Sequence, residues 1–342
     1  MKGTAYEGAG SLRTVSVEPS APAAGEVQIA VAYCGLCGTD LHIAHGNMDA
    51  RVRTPLIFGH EASGTVAATG PGVTGFPAGA PVTVMPLLWD GTCAACLAGH
   101  QHICQNLTFV GIDSPGALQQ RWNVPAAIVL PLPAGLDLRT AALVEPVAVA
   151  VHDVRRAELQ IGDQVVVLGG GPIGVLIAVV ARHAGARVVV AEIDATRRDL
   201  VAALGFDVLD PSDTGFAAEV ERRTGGAGAD VVFEVSGAAA AVRTATALAK
   251  VRGTIVVVAI HAAPREVDLQ RVFWRELRLL GARVYQRSDF ERAIELLDGG
   301  VIPAQELITG VVPLEGTADA MADLAAGRAM KILVDVAGQE QA

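Results

Sequence analysis

Charged and aromatic residues are scarce in this chain of 342 residues. Only 18% of the residues are charged and 4% are aromatic, whereas 51% are hydrophobic. The 26 Lys and Arg residues are outnumbered by 36 Asp and Glu residues, which gives a net charge of -10. The sequence also has no cluster of Lys and Arg. An acidic chain without a basic patch argues against nucleic acid or an anionic membrane as a partner.

Long apolar runs and a leader sequence are missing as well. The longest apolar stretches are interrupted at Glu145, Arg182 and Arg187, before they reach the roughly 20 residues that cross a bilayer. Residues 1–7 have neither the apolar region nor the cleavage site of a signal peptide. We therefore expect a soluble, cytoplasmic protein. Its five cysteines are an odd number, which in such a chain favours metal binding or catalysis over disulfides.

The pattern of apolar residues changes near residue 150. The length of the chain allows two domains. Before this point, short runs with period-2 alternation, such as 26–33, 81–84 and 127–130, stand between Gly and Pro breaks, which predicts a mainly β domain. From 151 to 285, apolar strands alternate with helices, which predicts βαβ units and a doubly wound parallel sheet. Two helices and a final strand follow residue 285. The fold class is α/β with a second, mainly β domain.

A glycine-rich turn follows the first strand of the α/β region. Residues 169–174 (GGGPIG) fit the G-x-G-x-x-G pattern, and they come after a strand and open a helix, as a dinucleotide-binding turn requires. Gly169 allows the tight turn, Gly171 lets the pyrophosphate approach the backbone, and Gly174 lets the helix pack on the strand. With Pro172 and Ile173, these glycines are the predicted phosphate-binding residues.

The next strand ends in Glu192, 18 residues after Gly174 (192 − 174). A carboxylate at this place accepts hydrogen bonds from the ribose hydroxyls and repels a 2′-phosphate, so the sequence favours NAD over NADP. Arg197 is also a candidate for cofactor contact. Together with Arg198, it leaves NADP open as the alternative.

Three residues from separate segments predict a catalytic zinc site. Cys37 lies in 35–42 (GLCGTDLH), His60 in 59–61 (GHE) and Glu145 in 143–146 (LVEP). A thiolate, an imidazole and a carboxylate are zinc ligands, and three protein ligands leave the fourth position open for substrate or water. The neighbouring Asp40 is a candidate to support these ligands from behind.

A second cysteine group predicts another metal site. Cys93 and Cys96 form a C-x-x-C pair, and Cys104 follows after a short loop. Three thiolates at this spacing suit tetrahedral zinc, which needs a fourth ligand. Asp90 continues the spacing backwards, whereas His100 and His102 lie inside the loop as rival ligands.

Together these motifs resemble the zinc-dependent branch of the medium-chain dehydrogenase/reductase superfamily. The resemblance covers essentially the whole chain and is strongest to tetrameric polyol, butanediol and threonine dehydrogenases. It implies a GroES-like catalytic domain in 1–150 and 286–342 and a Rossmann domain in 151–285. It also implies a homo-oligomer, either a tetramer or a dimer.

The resemblance also assigns roles to single residues. Glu61 or Glu145 would supply the carboxylate at the catalytic zinc, and Thr39 and His42 match the proton-relay positions. Two features depart from the family. Asp90 stands where the structural zinc site has its first cysteine, and 116–122 (GALQQRW) differs from the usual segment.

The implied activity is hydride transfer from a secondary alcohol or polyol to NAD, which gives a ketone. Threonine, a cyclitol and a sugar alcohol remain possible substrates. Two functions from other classes also stay open: a zinc-free binding protein, and a zinc lyase or hydrolase with an unused nucleotide fold. The aromatic pair Phe273 and Trp274 predicts either a substrate pocket or a subunit contact.

Overall fold

The computed structural model describes residues 1–338, which form two compact units. Residues 1–145 and the chain from 286 onwards make the first unit, and residues 146–285 make the second. The sequence had placed the boundary after residue 150, whereas the division falls inside the helix Val144–Arg156. Composition does not mark this division, because one apolar pattern continues along the whole helix.

The first part of the first unit is mainly β. Its strands are β1 (Lys2–Gly8), β2 (Ser11–Ser16), β3 (Glu26–Gly35), β4 (Leu56–Ile57), β5 (Glu61–Thr69), β6 (Pro81–Val84), β7 (Leu87–Leu88), β8 (Thr108–Phe109), β9 (Arg121–Pro125) and β10 (Val129–Pro131). Its short helices are α1 (Gly38–Ala44), α2 (Ala94–Leu97) and α3 (Leu138–Ala141).

One predicted strand of this unit is partly wrong. Residues 127–130 were expected to be extended, but Ala126–Ile128 form a 3-10 turn, and β10 starts only at Val129. Ala126 and Ala127 lack the β-branched side chains that favour extended backbone, so the chain turns after Pro125.

The second unit alternates strands and helices. Its elements are α4 (Val144–Arg156), β11 (Gln164–Leu168), α5 (Pro172–His183), β12 (Arg187–Ala191), α6 (Ala195–Ala203), β13 (Asp207–Leu209), α7 (Phe216–Arg223), β14 (Ala229–Glu234), α8 (Ala239–Leu248), β15 (Ala249–Val257), α9 (Leu269–Trp274) and β16 (Arg278–Gly281).

The six strands of this unit form one parallel sheet in the order β13-β12-β11-β14-β15-β16. In chain order this is 3-2-1-4-5-6, the order of a Rossmann fold. Val165 to Leu168 of β11 are all buried, as expected of a central parallel strand covered on both faces. Such a sheet binds ligands at the carboxyl ends of its strands.

The chain then returns to the first unit. It adds α10 (Arg287–Asp298), α11 (Ala304–Leu307), β17 (Ile308–Pro313), α12 (Thr317–Ala325) and β18 (Lys331–Asp335). Within the described residues, β18 pairs with β3 in a seven-stranded sheet, with Leu333 opposite Gly35. This pairing brings Lys331 beside the segment that precedes α1. No helix in residues 1–338 is long and apolar enough to cross a membrane.

Candidate functional site

Cys37 is the N-cap of helix α1. Its Sγ accepts a hydrogen bond from the amide of Thr39 at 3.3 Å, and its own amide donates to Asp40 Oδ2 at 3.0 Å. The two bonds form a capping box in which a thiol replaces the usual hydroxyl. The cap fixes the sulfur at the start of the helix and holds Asp40 beneath it.

His60 completes a three-residue arrangement with Cys37 and Asp40. Its Nε2 lies 3.2 Å from Cys37 Sγ, and its Nδ1 lies 3.5 Å from Asp40 Oδ1. His60 Nδ1 and Asp40 Oδ1 are buried, and neither has a hydrogen-bond partner. Nε2 is therefore the nitrogen that faces the sulfur, and Asp40 stands behind the ring, as carboxylates do behind histidine ligands of zinc.

Glu61 is the third member of this group. One ligand atom from each of Cys37, His60 and Glu61 lies within 4.8 Å of the others. Both carboxylate oxygens of Glu61 accept hydrogen bonds from Lys331 Nζ, at 2.8 and 2.7 Å, and the same ammonium donates to the Leu36 carbonyl at 3.1 Å. The negative charge of Glu61 is thus already neutralised by the buried ammonium of Lys331. Lys331 is a functional residue that the sequence did not predict, because no local motif marks it.

Glu145 lies outside that group of three but belongs to the same environment. It is buried in the first turn of α4, and its negative charge contributes to raising the pKa of His60. Glu145 therefore adds a second carboxylate to the surroundings of Cys37 and His60.

The electrostatics of this group favour a divalent cation. Burial and the negative charge of Asp40 raise the pKa of the Cys37 thiol. Burial disfavours a charged His60, but the negative charges at Cys37 and Asp40 outweigh it and raise the pKa of the ring well above its usual range. Soft sulfur, imidazole and carboxylate donors suit zinc, and a bound metal deprotonates a coordinating thiol. The residues present therefore fit zinc.

The two predicted relay residues lie on helix α1, three positions apart. Thr39 is half-buried and His42 is exposed. Residues i and i+3 are neighbours on one helix face, so the pair leads from the cap at Cys37 toward solvent. His42 Nδ1 lies 3.4 Å from Asn47 Nδ2, which fixes the ring on the outer side.

The second cysteine group also comes together. Ligand atoms of Asp90, Cys93, Cys96 and Cys104 all lie within 4.8 Å of one another, with 3.8 Å between the sulfurs of Cys93 and Cys104. The amides of Gln105 and Asn106 donate to Cys93 Sγ and Cys104 Sγ, at 3.4 and 3.3 Å. These hydrogen bonds orient the backbone of the loop toward the sulfurs. Three thiolates and one carboxylate are ligands that fit zinc.

Asp90 also stabilises the turn of this lobe. Its Oδ1 accepts hydrogen bonds from the amides of Thr92 and Cys93, at 2.7 and 2.9 Å. These hydrogen bonds, with one from Asn106, hold its pKa well below the usual range. The amide of Gln105 lowers the pKa of Cys93, while burial raises that of Cys96 to about 12. The rival ligands His100 and His102 are not in the group; their rings meet edge to face, 6.2 Å apart.

The segment 116–122, which differs from the usual segment of the family, packs against the backbone next to His60. A Cβ at Gly116 would collide with the Gly59 carbonyl next to His60. Trp122 is buried in β9, and its Nε1 donates to the Pro115 carbonyl at 2.9 Å. This segment therefore supports the backbone that carries His60.

In the second unit, the glycine turn connects β11 to α5. Gly169 has a φ of +119°, and a Cβ at Gly174 would collide with the Gly169 carbonyl. Gly171 caps α5 without a side chain, and Pro172 occupies the first turn. The first-turn amides of this helix, at the carboxyl edge of the sheet, are therefore open to an anion, as a pyrophosphate site requires.

Glu192 closes the other side of this turn. Its Oε2 accepts from the Gly170 amide at 2.7 Å, and its Oε1 accepts from the Asp194 amide at 2.9 Å. Arg198 is turned away, because it pairs with Asp210 at 2.9 Å and donates to the carbonyls of Glu192 and Ile193. The carboxylate is thus fixed at the end of β12.

Comparison with known proteins identifies the chain over most of its length. Residues 23–134 match the family model of the alcohol dehydrogenase GroES-like domain, and residues 172–299 match that of the zinc-binding dehydrogenases. The 2-dehydro-3-deoxy-L-galactonate 5-dehydrogenase of Pseudoalteromonas atlantica is 50% identical over 331 residues, which cover 96% of this chain and 97% of the relative.

Solved structures agree with this. An alcohol dehydrogenase of Escherichia coli CFT073 in complex with NADH has a TM-score of 0.91 at 27% identity, covering 98% of this chain and 99% of that one. A zinc-binding dehydrogenase of Sinorhizobium meliloti bound to NADP has a TM-score of 0.91 at 32% identity, covering 98% of both chains. The chain therefore belongs to the zinc-dependent alcohol dehydrogenases of the medium-chain dehydrogenase/reductase superfamily, and it is a zinc-dependent oxidoreductase.

Proposed function

We propose that the substrate is a sugar acid, namely 2-dehydro-3-deoxy-L-galactonate, and that its C5 hydroxyl is oxidised to a ketone. The observation that carries this proposal is the 50% identity to the Pseudoalteromonas atlantica enzyme of that name, over nearly the full length of both chains. A threonine, a cyclitol or a neutral sugar alcohol remains the alternative substrate.

In this proposal, Cys37, His60 and Glu145 hold the catalytic zinc, and Glu61 stays paired with Lys331. Zinc bound there would act as a Lewis acid on the substrate hydroxyl, and NAD would accept the hydride. Asp40 keeps the His60 ring in place through Nδ1, which leaves Nε2 directed at the metal position.

Thr39 and His42 are proposed to carry the hydroxyl proton away. Thr39 is next to the cap residue Cys37, and its hydroxyl can both accept and donate a hydrogen bond. His42 lies one helical turn further on and is exposed to solvent, and an imidazole can both accept and donate a proton. The order of the two residues on α1 supports an outward path.

On the nucleotide side, we propose that the turn at Gly169, Gly171 and Gly174, with Pro172 and Ile173, binds the pyrophosphate. Glu192 would bind the ribose hydroxyls, since its oxygens retain lone pairs beyond those used by the amides of Gly170 and Asp194. Arg197 would lie at the adenosine end of the cofactor.

Two further parts of the proposal concern structure. Asp90, Cys93, Cys96 and Cys104 would hold a structural zinc. The protein would be a homo-oligomer, a tetramer or a dimer, in the cytoplasm, where thiols such as its five free cysteines stay reduced.

One surface of the second unit supports self-association. Leu269, Phe273 and Trp274 of α9 are 70%, 72% and 73% exposed, and Leu279 of the neighbouring edge strand β16 is 46% exposed. Among residues 1–338, β16 pairs with β15 and has no strand on its other side. These side chains offer on the order of 500 Å² of apolar area, a large part of the roughly 800 Å² per partner of a standard interface. We call these four residues the α9–β16 surface.

The charges around this surface also suit a second copy. Residues 265–278 contain four arginines and three acidic residues, so this region is nearly balanced, whereas the whole chain carries -10. Two copies would repel each other least at this surface, and edge strands pair readily with their own kind.

A substrate panel tests the proposed activity. Reduction of NAD is followed by absorbance with 2-dehydro-3-deoxy-L-galactonate, sorbitol, a 2,3-butanediol, a cyclitol and L-threonine. We expect the sugar acid to give the highest kcat/KM by at least tenfold. A higher kcat/KM for a neutral alcohol or for threonine would overturn the substrate assignment.

A further inference from the structure

The geometry points to Arg51 as the residue that recognises the carboxylate of the substrate. This inference rests on the proposed function, because only an acidic substrate needs such a residue. A buried or half-buried carboxylate without a cationic partner is costly, and this chain carries a net charge of -10. A sugar acid therefore requires a cation close to the metal centre.

Lys331, the buried cation at the metal centre, cannot bind the substrate carboxylate, because it is already paired with Glu61. Its ammonium makes three hydrogen bonds, two to the carboxylate oxygens of Glu61 and one to the Leu36 carbonyl, which is the full capacity of an ammonium group. Its side chain is 4% exposed. A substrate carboxylate must therefore find a different cation.

Arg51 is connected to the metal centre by a short chain of contacts. Its Nε and Nη2 donate to the two oxygens of Asp113, both at 2.7 Å. Asp113 Oδ2 also accepts from the Phe109 amide at 2.8 Å. The ring of Phe109 meets the ring of His60 edge to face, with 5.2 Å between centroids. Asp113 and Phe109 are thus the two residues that link the Arg51 guanidinium to His60, a proposed zinc ligand.

The pairing with Asp113 leaves Arg51 able to bind a second carboxylate. A guanidinium has five N–H donors, and the bidentate contact uses one side of it, so Nη1 remains available. The Arg51 side chain is 43% exposed, while Asp113 is 21% exposed. Because Asp113 fixes the plane of the guanidinium, less side-chain entropy is lost when a ligand binds.

Arg51 is therefore a specificity-determining residue for acidic substrates. Replacing it should weaken binding of the sugar acid without changing the chemistry at the metal. A charge-assisted hydrogen bond typically corresponds to about a 10- to 100-fold change in affinity. A neutral alcohol, which has no carboxylate, should not be affected.

The test compares KM and kcat of Arg51→Gln, Arg51→Lys and Asp113→Asn with 2-dehydro-3-deoxy-L-galactonate and with a neutral polyol. We expect Arg51→Gln to raise KM for the sugar acid about 10- to 100-fold, with kcat nearly unchanged and the polyol KM unaltered. Arg51→Lys should restore part of the affinity. Asp113→Asn, which keeps the arginine but holds its guanidinium less firmly, should raise the sugar-acid KM less than Arg51→Gln does. Arg13→Gln, in an exposed pair with Glu7, is the matched control.

The outcomes separate this inference from the proposed function. If the wild-type enzyme oxidises the sugar acid and Arg51→Gln leaves its KM unchanged, the role of Arg51 is wrong but the function stands. An equal KM increase for both substrates in Arg51→Gln and Asp113→Asn would assign the pair a purely structural role. If the wild type does not oxidise the sugar acid, both proposals fail together.

Discussion

Gly35 shows how closely the residues of the metal centre are packed. A Cβ added at Gly35 would collide with the carboxylate of Glu61, which is itself held by Lys331. Glu61 and Lys331 are both almost fully buried. A buried ion pair is stable only while its geometry is kept, and breaking one typically costs about 3–5 kcal/mol.

We therefore expect Gly35→Ala to lower the free energy of unfolding by about 2–4 kcal/mol, because it displaces Glu61 from Lys331. Chemical denaturation measures this loss. Gly135→Ala is the control, since no atom lies within 4 Å of the added Cβ there. Equal stability of the two variants would show that the carboxylate adapts without losing its partner.

Glu192 is the residue on which the cofactor preference depends. We expect Glu192→Gln to raise the ratio of kcat/KM for NADP to that for NAD about tenfold or more, because the charge that repels the 2′-phosphate is gone. The glutamine oxygen can still accept one of the two backbone amides, so the turn should persist. Asp199→Asn, on the exposed side of α6, controls for the loss of one negative charge.

A wild-type enzyme that already prefers NADP would contradict this account. The solved relative with NADP makes that comparison informative. In that case Arg197 would be the residue to test next.

At the scale of elements, the cysteine lobe between β7 and β8 depends on Asp90 in two ways. Its Oδ1 caps the turn at Cys93, and it occupies the place of a fourth metal ligand. An oxygen ligand is less soft than a thiolate, so zinc should bind less tightly here than in a site with four cysteines.

We expect Asp90→Cys to retain zinc at chelator concentrations that strip the wild type, and to raise Tm, since a metal bound to the folded state stabilises it. Asp90→Ala should lose this zinc and lower Tm. Asp90→Asn is the matched variant, because its amide oxygen still accepts the turn hydrogen bonds. Zinc content is measured per chain with Tm. One zinc per chain in the wild type, unchanged in Asp90→Ala, would show that the lobe is empty and that packing or hydrogen bonds hold it instead.

The elements also explain which parts of the site the sequence could predict. The glycine turn, the cap at Cys37 and the C-x-x-C lobe are short motifs whose geometry is set within a few residues. Lys331 could not be predicted, because it is 270 residues from Glu61 in the chain. It reaches Glu61 only through the pairing of β18 with β3, and that register depends on the whole sheet.

The parallel sheet of the second unit was predictable for a different reason. Apolar runs such as 164–168 alternate with helical segments, and this pattern alone requires a parallel sheet. The place where the two units divide was less predictable, because it falls within α4 rather than in a linker.

At the scale of the whole molecule, we expect the protein to self-associate through the α9–β16 surface. The double variant Phe273→Asp, Trp274→Asp should be monomeric or a smaller oligomer at micromolar concentration, because it places charges on the apolar part of that surface. Sedimentation velocity measures the change in mass. Ile161→Asp, at an equally exposed position outside the surface, should leave the mass unaltered.

A monomeric wild type would contradict self-association itself. A wild-type oligomer that persists in the double variant would show that another surface is used.

The central claim is that Cys37 and His60 would hold a zinc that activates the alcohol as a Lewis acid, while NAD, bound independently by the second unit, would accept the hydride. The most direct measurement compares Cys37→Ser with the wild type for zinc content, NAD affinity and turnover of 2-dehydro-3-deoxy-L-galactonate. We expect Cys37→Ser to lose the zinc of this site and to reduce kcat by at least a factor of about 1,000, as befits the loss of several kcal/mol of Lewis-acid stabilisation, with NAD affinity within twofold. Wild-type turnover in Cys37→Ser, or turnover that persists without zinc, would contradict the claim.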